Sequence, residues 1–493
     1  MIQNNRLLAA SLAALLLLAS SVAVSAQTPE VFDQWYVLNM QGQRSGWMHV
    51  RQSEKEGYFV TETEMRLSIA RAATEIRIQM AGRFTETLDH EPVRMWSLQK
   101  LASVPTETTW EWIDEGVRRT IKQGVAESTD MLPAPEGEWM TPGAAGEYTE
   151  EQLGGGAEEI TVTILDPLVG LMPIEITRTV LDRDATVETM NGRRPAVKWK
   201  VVQSFANAVQ SIEYVDEEGN VLRGEVDLGA IKMDLIAADR ATALQKTAAP
   251  ELMLDTFVRP DRRIVRPRET ERLVLDLSVT DGEMPELPSV AAQTAEPIDG
   301  GIRLTIDTRG PNHADPDADI EALTGSNSYL NADDEEVRRL ARQATREVRG
   351  GAPIERARAM RDFVFKYVDE KSLSVGFATA SEVARERSGD CSEHGVLLAA
   401  MMRADGIPAR VVSGLIYADE FAGARGIFGY HMWAQALIDG RWVDFDGTLP
   451  VDFDATHITI STTSLDEGGL SNDLSSLVPL LGRLKISVVE IGP

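Results

Sequence analysis

Three residues of the kinds that carry out nucleophilic chemistry lie in one stretch, Gly389 to Pro450: Cys391, His431 and Asp446. Cys391 is the only cysteine in 493 residues. A thiol attacks as its thiolate, an imidazole moves the proton, and a carboxylate holds the imidazole in one tautomer and orientation. That chemistry forms a covalent acyl intermediate on a carbonyl, and it requires the three side chains to converge in space.

The elements that must position them can be read locally. Asp390 is a good N-cap residue, and Val396, Leu397, Ala400, Met401 and Ala404 repeat at helical spacing after it. Gly406 then stops the helix and Pro408 prevents its return. The sulfur therefore sits in a first helical turn, where the dipole favours thiolate and backbone N–H groups can stabilise an oxyanion. His431, Trp433, Gln435 and Leu437 alternate along a strand, and Asp439-Gly440 is a two-residue hairpin turn. That turn pairs Ile438 with Arg441 and, counting back, Trp433 with Asp446. Asp446 then lies diagonal to His431 on the same face, within side-chain reach. Asp444 pairs with Gln435, one step farther away, so Asp446 is the better orienter.

These pieces resemble the transglutaminase-like superfamily, with its papain-like Cys-His-Asp chemistry. The matching segments are Gly389-Asp390-Cys391, Arg403 through Val412, His431-Met432-Trp433 and Trp442 through Thr448, covering roughly residues 320–465. The resemblance puts the nucleophile on Cys391, the base on His431 and the acid on Asp446. Met432, Gln435 and Gly447 depart from the common pattern, which has Ala, an acid and Pro there. The aromatic oxyanion partner common upstream of the cysteine has no Trp here, and Phe377 has no hydrogen to donate.

Taken singly, each residue has a structural reading: a lone Cys as a small buried hydrophobe, His431 as a half-buried strand residue, Asp446 as a turn former. Together, in this order, they read as catalytic. His394 reads as a helix residue near the site and Glu393 as a first-turn charge. One cysteine and six histidines give no set of four closely spaced ligands, so no metal is expected. No cofactor motif is present, and the triad needs none. Asp315, Asp317 and Asp319 lack the Gly and Glu of a calcium loop and read as a solvated acidic linker.

The remainder of the chain sets the context. Residues 1–26 read as a secretory signal, with Arg6, an apolar Leu7–Val24 run and a small-residue ending at Val24-Ser25-Ala26. This predicts a periplasmic or secreted protein with no stable membrane insertion after cleavage. A free thiol in an oxidising space is a liability without a use. Hydrophobic residues at 43% are enough for packed cores, and a net charge of −28 argues against nucleic acid and anionic lipid surfaces. Residues 27–250 read as a β-rich domain, because Thr61 to Ile69 alternate with polar residues and turn signals recur at Glu115-Gly116, Asn191-Gly192 and Glu218-Gly219-Asn220. A large curved antiparallel sheet around an apolar concavity is expected, with Trp35, Trp47, Trp96, Trp110, Trp112, Trp139 and Trp199 mostly in its core. Residues 131–158 read as loop. Residues 251–318 read as a β linker or small β module.

Residues 319–493 read as an α+β, transglutaminase-like (papain-like) catalytic domain with C-terminal strands. Its helices begin at an Asp333/Glu336 capping box and include Ile354–Val368 and one opened by Thr379 with Glu382. The chain is thus read as multidomain, acting on peptide or protein amides by hydrolysis or by transfer to an amine. The other readings are a non-catalytic envelope scaffold and a lipid or lipoprotein carrier using the N-terminal sheet. Iodoacetamide labelling of the folded chain separates the first from an enzyme.

Overall fold

The computed structural model describes residues 32–71, 74–100, 105–124, 126–204, 210–370, 378–465 and 477–492. Residues 1–26, read above as a secretory signal, and Phe377 lie outside the described residues. The chain divides into two compact units, with the boundary between Glu251 and Leu252. No helix among the described residues is long and apolar enough to cross a membrane.

The first unit is one antiparallel sheet of fourteen strands. They are β1 (Phe32–Met40), β2 (Gln43–Lys55), β3 (Tyr58–Arg71), β4 (Thr74–Thr87), β5 (Pro92–Lys100), β6 (Thr106–Ile113), β7 (Gly116–Gln123) and β8 (Ala126–Leu132). Then come β9 (Glu159–Ile164), β10 (Ile174–Thr189), β11 (Gly192–Gln203), β12 (Gln210–Val215), β13 (Val221–Asp227) and β14 (Lys232–Ala238). Two meanders, β1 to β8 and β9 to β14, join where β1 pairs with β14. Paired residues share a face, so the row Tyr36, Met48, Met65, Met80 points inward and all four are buried. The sheet curls: Leu165 and Leu171, just after β9, pack with Phe84, Met95, Trp110 and Val117 of β4 to β7. Trp110 and Trp199 are buried, while Trp35 stacks on His49.

One expectation fails here. Within 131–158, residues Pro142–Gly154 form helix α1, capped by Thr141 with Pro142 in its first turn. Gly and Pro concealed it, but its buried residues are Pro142, Gly143, Ala145, Gly146 and Thr149: the helix is held by close approach of small residues rather than by bulky side chains.

The second unit holds two four-stranded sheets. The first contains β15 (Arg272–Val279), β16 (Gln293–Ile298) and β17 (Gly301–Asp307), and its order is β16-β17-β15-β22, where β22 is Leu484–Gly492. Of the C-terminal strands expected in the 319–493 domain, the one at Leu484–Gly492 therefore completes the sheet of the 251–318 module instead. Apolar alternation explains it, since Leu273, Leu275 and Leu277 sit opposite Ile491, Val488 and Ile486.

The second sheet has the order β20-β19-β18-β21, from β18 (Ala409–Phe421), β19 (Ala424–Ile438), β20 (Arg441–Phe445) and β21 (His457–Thr463). Helices α2 (Ile320–Thr324), α3 (Glu335–Ala344), α4 (Pro353–Tyr367), α5 (Ala380–Glu386) and α6 (Cys391–Ala404) precede it. Helix α6 lies on β18 and β19 and is contacted by α3, α4 and α5. The cap of α3 is Asp334, not Asp333, because its carboxylate accepts from Glu336 N and Val337 N. The Thr379/Glu382 box opens α5 as expected. Asp315 is not a solvated linker residue: its N–H donates to Gly440 O and its carboxylate accepts from Trp442 Nε1 at 2.8 Å.

Candidate active site

Cys391 is the first residue of α6 and is 2% exposed. Asp390 caps the helix, accepting from Ser392 N at 3.0 Å and also from the N–H of Glu393. Two first-turn donors expected to serve an oxyanion are thus engaged by the cap. Glu393 returns the box, accepting from Asp390 N at 2.8 Å and from Ala378 N at 3.1 Å. It is not the dipole-favoured charge expected from its position. Burial, reinforced by the Asp390 carboxylate, pushes its pKa well above the usual glutamate value, which favours the neutral acid. Gly389 has φ +148°, and a Cβ there would lie 2.3 Å from Glu393 Cβ and Cγ, so glycine is required beside the box.

The Asp439-Gly440 turn sets the β19–β20 register as read, with Ile438 opposite Arg441 and Gln435 opposite Asp444. Asp446 follows directly after β20. His431 Nε2 donates to Asp446 Oδ2 at 2.9 Å, and both residues are buried. His431 Nδ1 is buried and has no hydrogen-bond partner among the described residues. Asp446 accepts four hydrogen bonds in all. Oδ2 takes His431 and His457 (3.2 Å), and Oδ1 takes Thr448 N (2.8 Å) and Thr448 Oγ1 (2.6 Å). Burial alone would raise its pKa, but the facing imidazoles outweigh it and hold the carboxyl well below its usual range. For His431, burial lowers the pKa more than Asp446 raises it, which favours the neutral ring.

Two glycines bring helix and sheet together. A Cβ on Gly395 would lie 3.3 Å from Met432 Cγ and 3.5 Å from Trp433 Cα. One on Gly447 would lie 3.2 Å from Val364 Cγ1 and 3.7 Å from His394 Cβ. Cys391 and Gly395, four apart, share a helix face. At Gly395 that face of α6 packs against Met432 and Trp433, the two residues that follow His431 on β19. The departures Met432 and Gly447 are these packing contacts. Gln435 bridges Asp444 (2.7 Å) and Arg410 (3.1 Å), and Asp444 also accepts from Trp433 Nε1 at 2.8 Å. His394 packs as expected, its Nδ1 donating to Asp390 O at 2.5 Å.

His457 is the residue that sequence reasoning missed. It opens β21, and in the sheet order β18 stands between β21 and the His431 strand. The rings nonetheless approach to 5.8 Å between centroids. Gly414 of β18 lies opposite His431, and the Trp433 ring and the Ile458 carbonyl stand where a side chain on it would be. Its isolated position in an apolar strand was the available signal. His457 Nδ1 donates to Asp454 O at 2.9 Å, and Phe453 stacks on the ring at 4.2 Å. Burial opposes its charge, but Asp454 and the bonds to Asp446 prevail and push the pKa up to about 9.

The nitrogens and carboxylate oxygens of His431, Asp446 and His457 lie within 4.8 Å of one another, a spacing a metal could use. Both Nε2 atoms already donate to one Asp446 oxygen, and a protonated His457 offers no lone pair. The cluster is a hydrogen-bonded carboxylate, not a metal centre.

A family model described as the transglutaminase-like superfamily matches residues 338–447, which include α4, α5, α6 and the hairpin with Asp446. The second unit therefore carries a transglutaminase-like domain, behind a β-rich N-terminal unit. A search of curated proteins finds no match. Among solved structures, one from Cytophaga hutchinsonii, provisionally assigned as a cysteine protease, is 16% identical; it covers 45% of this chain and 84% of its own, with a TM-score of 0.27. A β-barrel-like protein of a domain of unknown function from Brucella abortus is 10% identical, covering 43% and 98%, with a TM-score of 0.33. The periplasmic domain of TgpA from Pseudomonas aeruginosa, bound to ethylmercury, is 16% identical, covering 40% and 89%, with a TM-score of 0.27.

Proposed function

We propose that the chain is an exported thiol enzyme that forms a Cys391 thioester on peptide or protein amides. The observation that carries this is the state of His431. One ring nitrogen is held by Asp446 at 2.9 Å, and the other is buried with no partner among the described residues, on a strand against which the Cys391 helix packs. In this reading Nδ1 exchanges the proton with the thiol and Asp446 fixes the tautomer. The thiolate attacks the amide carbonyl, the His431 imidazolium protonates the departing amine, and the C–N bond breaks. Neutral His431 then takes a proton from water, whose attack on the thioester releases a carboxylic acid and returns the thiol. An amine in place of water gives a new amide, and hydrolysis is favoured where water is abundant.

The test is incubation of the mature chain with a peptide library, with and without an added amine, against Cys391→Ala. Cleavage or amine incorporation that disappears in the variant supports the reading, and identical product profiles defeat it. Export rests on residues 1–26, and a mature N-terminus immediately after Ala26 is the expected result of N-terminal sequencing.

A further inference from the structure

Asp446 is shared. His431 and His457 both donate to Oδ2, at 2.9 and 3.2 Å, from strands on either side of β18. Behind His457 the contacts continue outward: Nδ1 to Asp454 O at 2.9 Å, and Asp454 to Arg268 at 2.8 Å. Arg268 also donates to Thr456 Oγ1 at 3.0 Å. Phe453 and Trp433 enclose the ring, stacked at 4.2 Å and edge-on at 5.3 Å. A histidine held this closely on both nitrogens is not a space-filler. An orienting acid in a triad needs one acceptor direction toward its histidine, and here a second imidazole shares the same oxygen.

We propose that His457 is a positioning residue: it takes a share of the Asp446 Oδ2 acceptor from a frame anchored on Asp454 and Arg268, and so fixes the carboxylate against His431 and limits its pull on that ring. This inference rests on the proposed thiol chemistry. The charged or titratable groups facing His457 are Asp446, His431, Asp454 and Asp444. Asp446 and Asp454 as carboxylates offset His457 and Arg268 as cations while His431 stays neutral, and burial raises the pKa of the Asp444 carboxyl beside them. Removing the His457 cation leaves Asp446 Oδ2 to His431 alone, which makes His431 more basic.

The experiment uses the full mature chain, whose single cysteine makes alkylation site-specific. Iodoacetamide rates are measured across pH for the native chain, His457→Gln, Asp454→Asn and His431→Gln, with the ring nitrogens followed by NMR. Six histidines make the assignment tractable. In His457→Gln and Asp454→Asn the thiol stays reactive, while the His431 titration and the alkylation profile move to higher pH, by about one unit in His457→Gln. In His431→Gln the profile loses its histidine-dependent limb. A His457→Gln profile equal to the native one, with His431→Gln altered, overturns the positioning role and leaves the triad standing. An unaltered His431→Gln profile overturns the thiol mechanism and the positioning role with it. Should His457→Gln not fold, the native spectrum decides: two ring N–H signals for His457 at pH 7.5 are expected, and a neutral ring overturns the proposal.

Discussion

Gly395 lies one helical turn beyond Cys391 with its Cα against the backbone of Trp433, at a distance that leaves no room for a side chain larger than a methyl. The packing of the Cys391 helix on the His431 strand is therefore set by a glycine contact. Gly395→Val adds atoms where Met432 Cγ is already 3.3 Å from a built Cβ. The expected cost is about 1–3 kcal/mol of stability. Displacement of the thiol by about 1 Å lowers turnover by roughly 10²-fold. Thermal unfolding and iodoacetamide kinetics check the two effects separately, and a variant that melts normally and reacts normally contradicts the contact.

Asp446 is surrounded by donors only: two imidazole nitrogens on Oδ2, and an amide and a hydroxyl of Thr448 on Oδ1. An asparagine in its place must aim its NH2 at one of these pairs. Asp446→Asn is expected to reduce amide turnover by between about 10²- and 10⁴-fold, with His431 losing its fixed tautomer. Measured turnover within a few-fold of native would count against Asp446 as the orienter.

Gly414 keeps the sheet closed beneath the two imidazoles. A Cβ there would stand 1.9 Å from Ile458 O and 2.6 Å from Trp433 Cη2. Gly414→Ala must part β18 from β21, at a cost of at least about 2 kcal/mol, read as a lowered denaturant midpoint. The same variant is expected to separate the His431 and His457 ring signals from their native positions in NMR.

Glu393 gives stability a pH dependence of definite sign. Its folded pKa is raised well above 4.5, so the folded state retains a proton that the unfolded chain releases. Stability associated with this group is full below about pH 4.5 and declines as pH rises toward the folded value. Glu393→Gln removes that decline and flattens the denaturant-midpoint profile above pH 5. A slope unchanged from native would show that Glu393 is ionised in the fold.

The parts of the site carried by local signals were legible in the sequence. Asp390 before an apolar repeat set the start of the Cys391 helix, and Asp439-Gly440 set the hairpin register that carries Asp446 beside His431. What was not legible depends on partners distant in the chain. His457 reaches Asp446 because β21 pairs with β18, and Gly414 lets Ile458 of β21 and the Trp433 ring close in where a side chain would stand. Glu393 changes character because it is buried beside the Asp390 carboxylate, and burial does not show in a single-residue reading. The Pro142–Gly154 helix was hidden because its buried residues, Pro142, Gly143, Ala145, Gly146 and Thr149, carry no large apolar side chain at helical spacing.

The pairing of β15 with β22 joins residue 272 to residue 492, so the second unit finishes its module with its last strand. A ribosome must therefore deliver that strand before the unit can close, and the apolar edge of β15 stays uncovered throughout synthesis of the thiol-bearing segment. A message truncated before Leu484 would yield a chain in which every residue of the Cys391 cluster is made, yet one edge of the unit remains open to pairing with its neighbours.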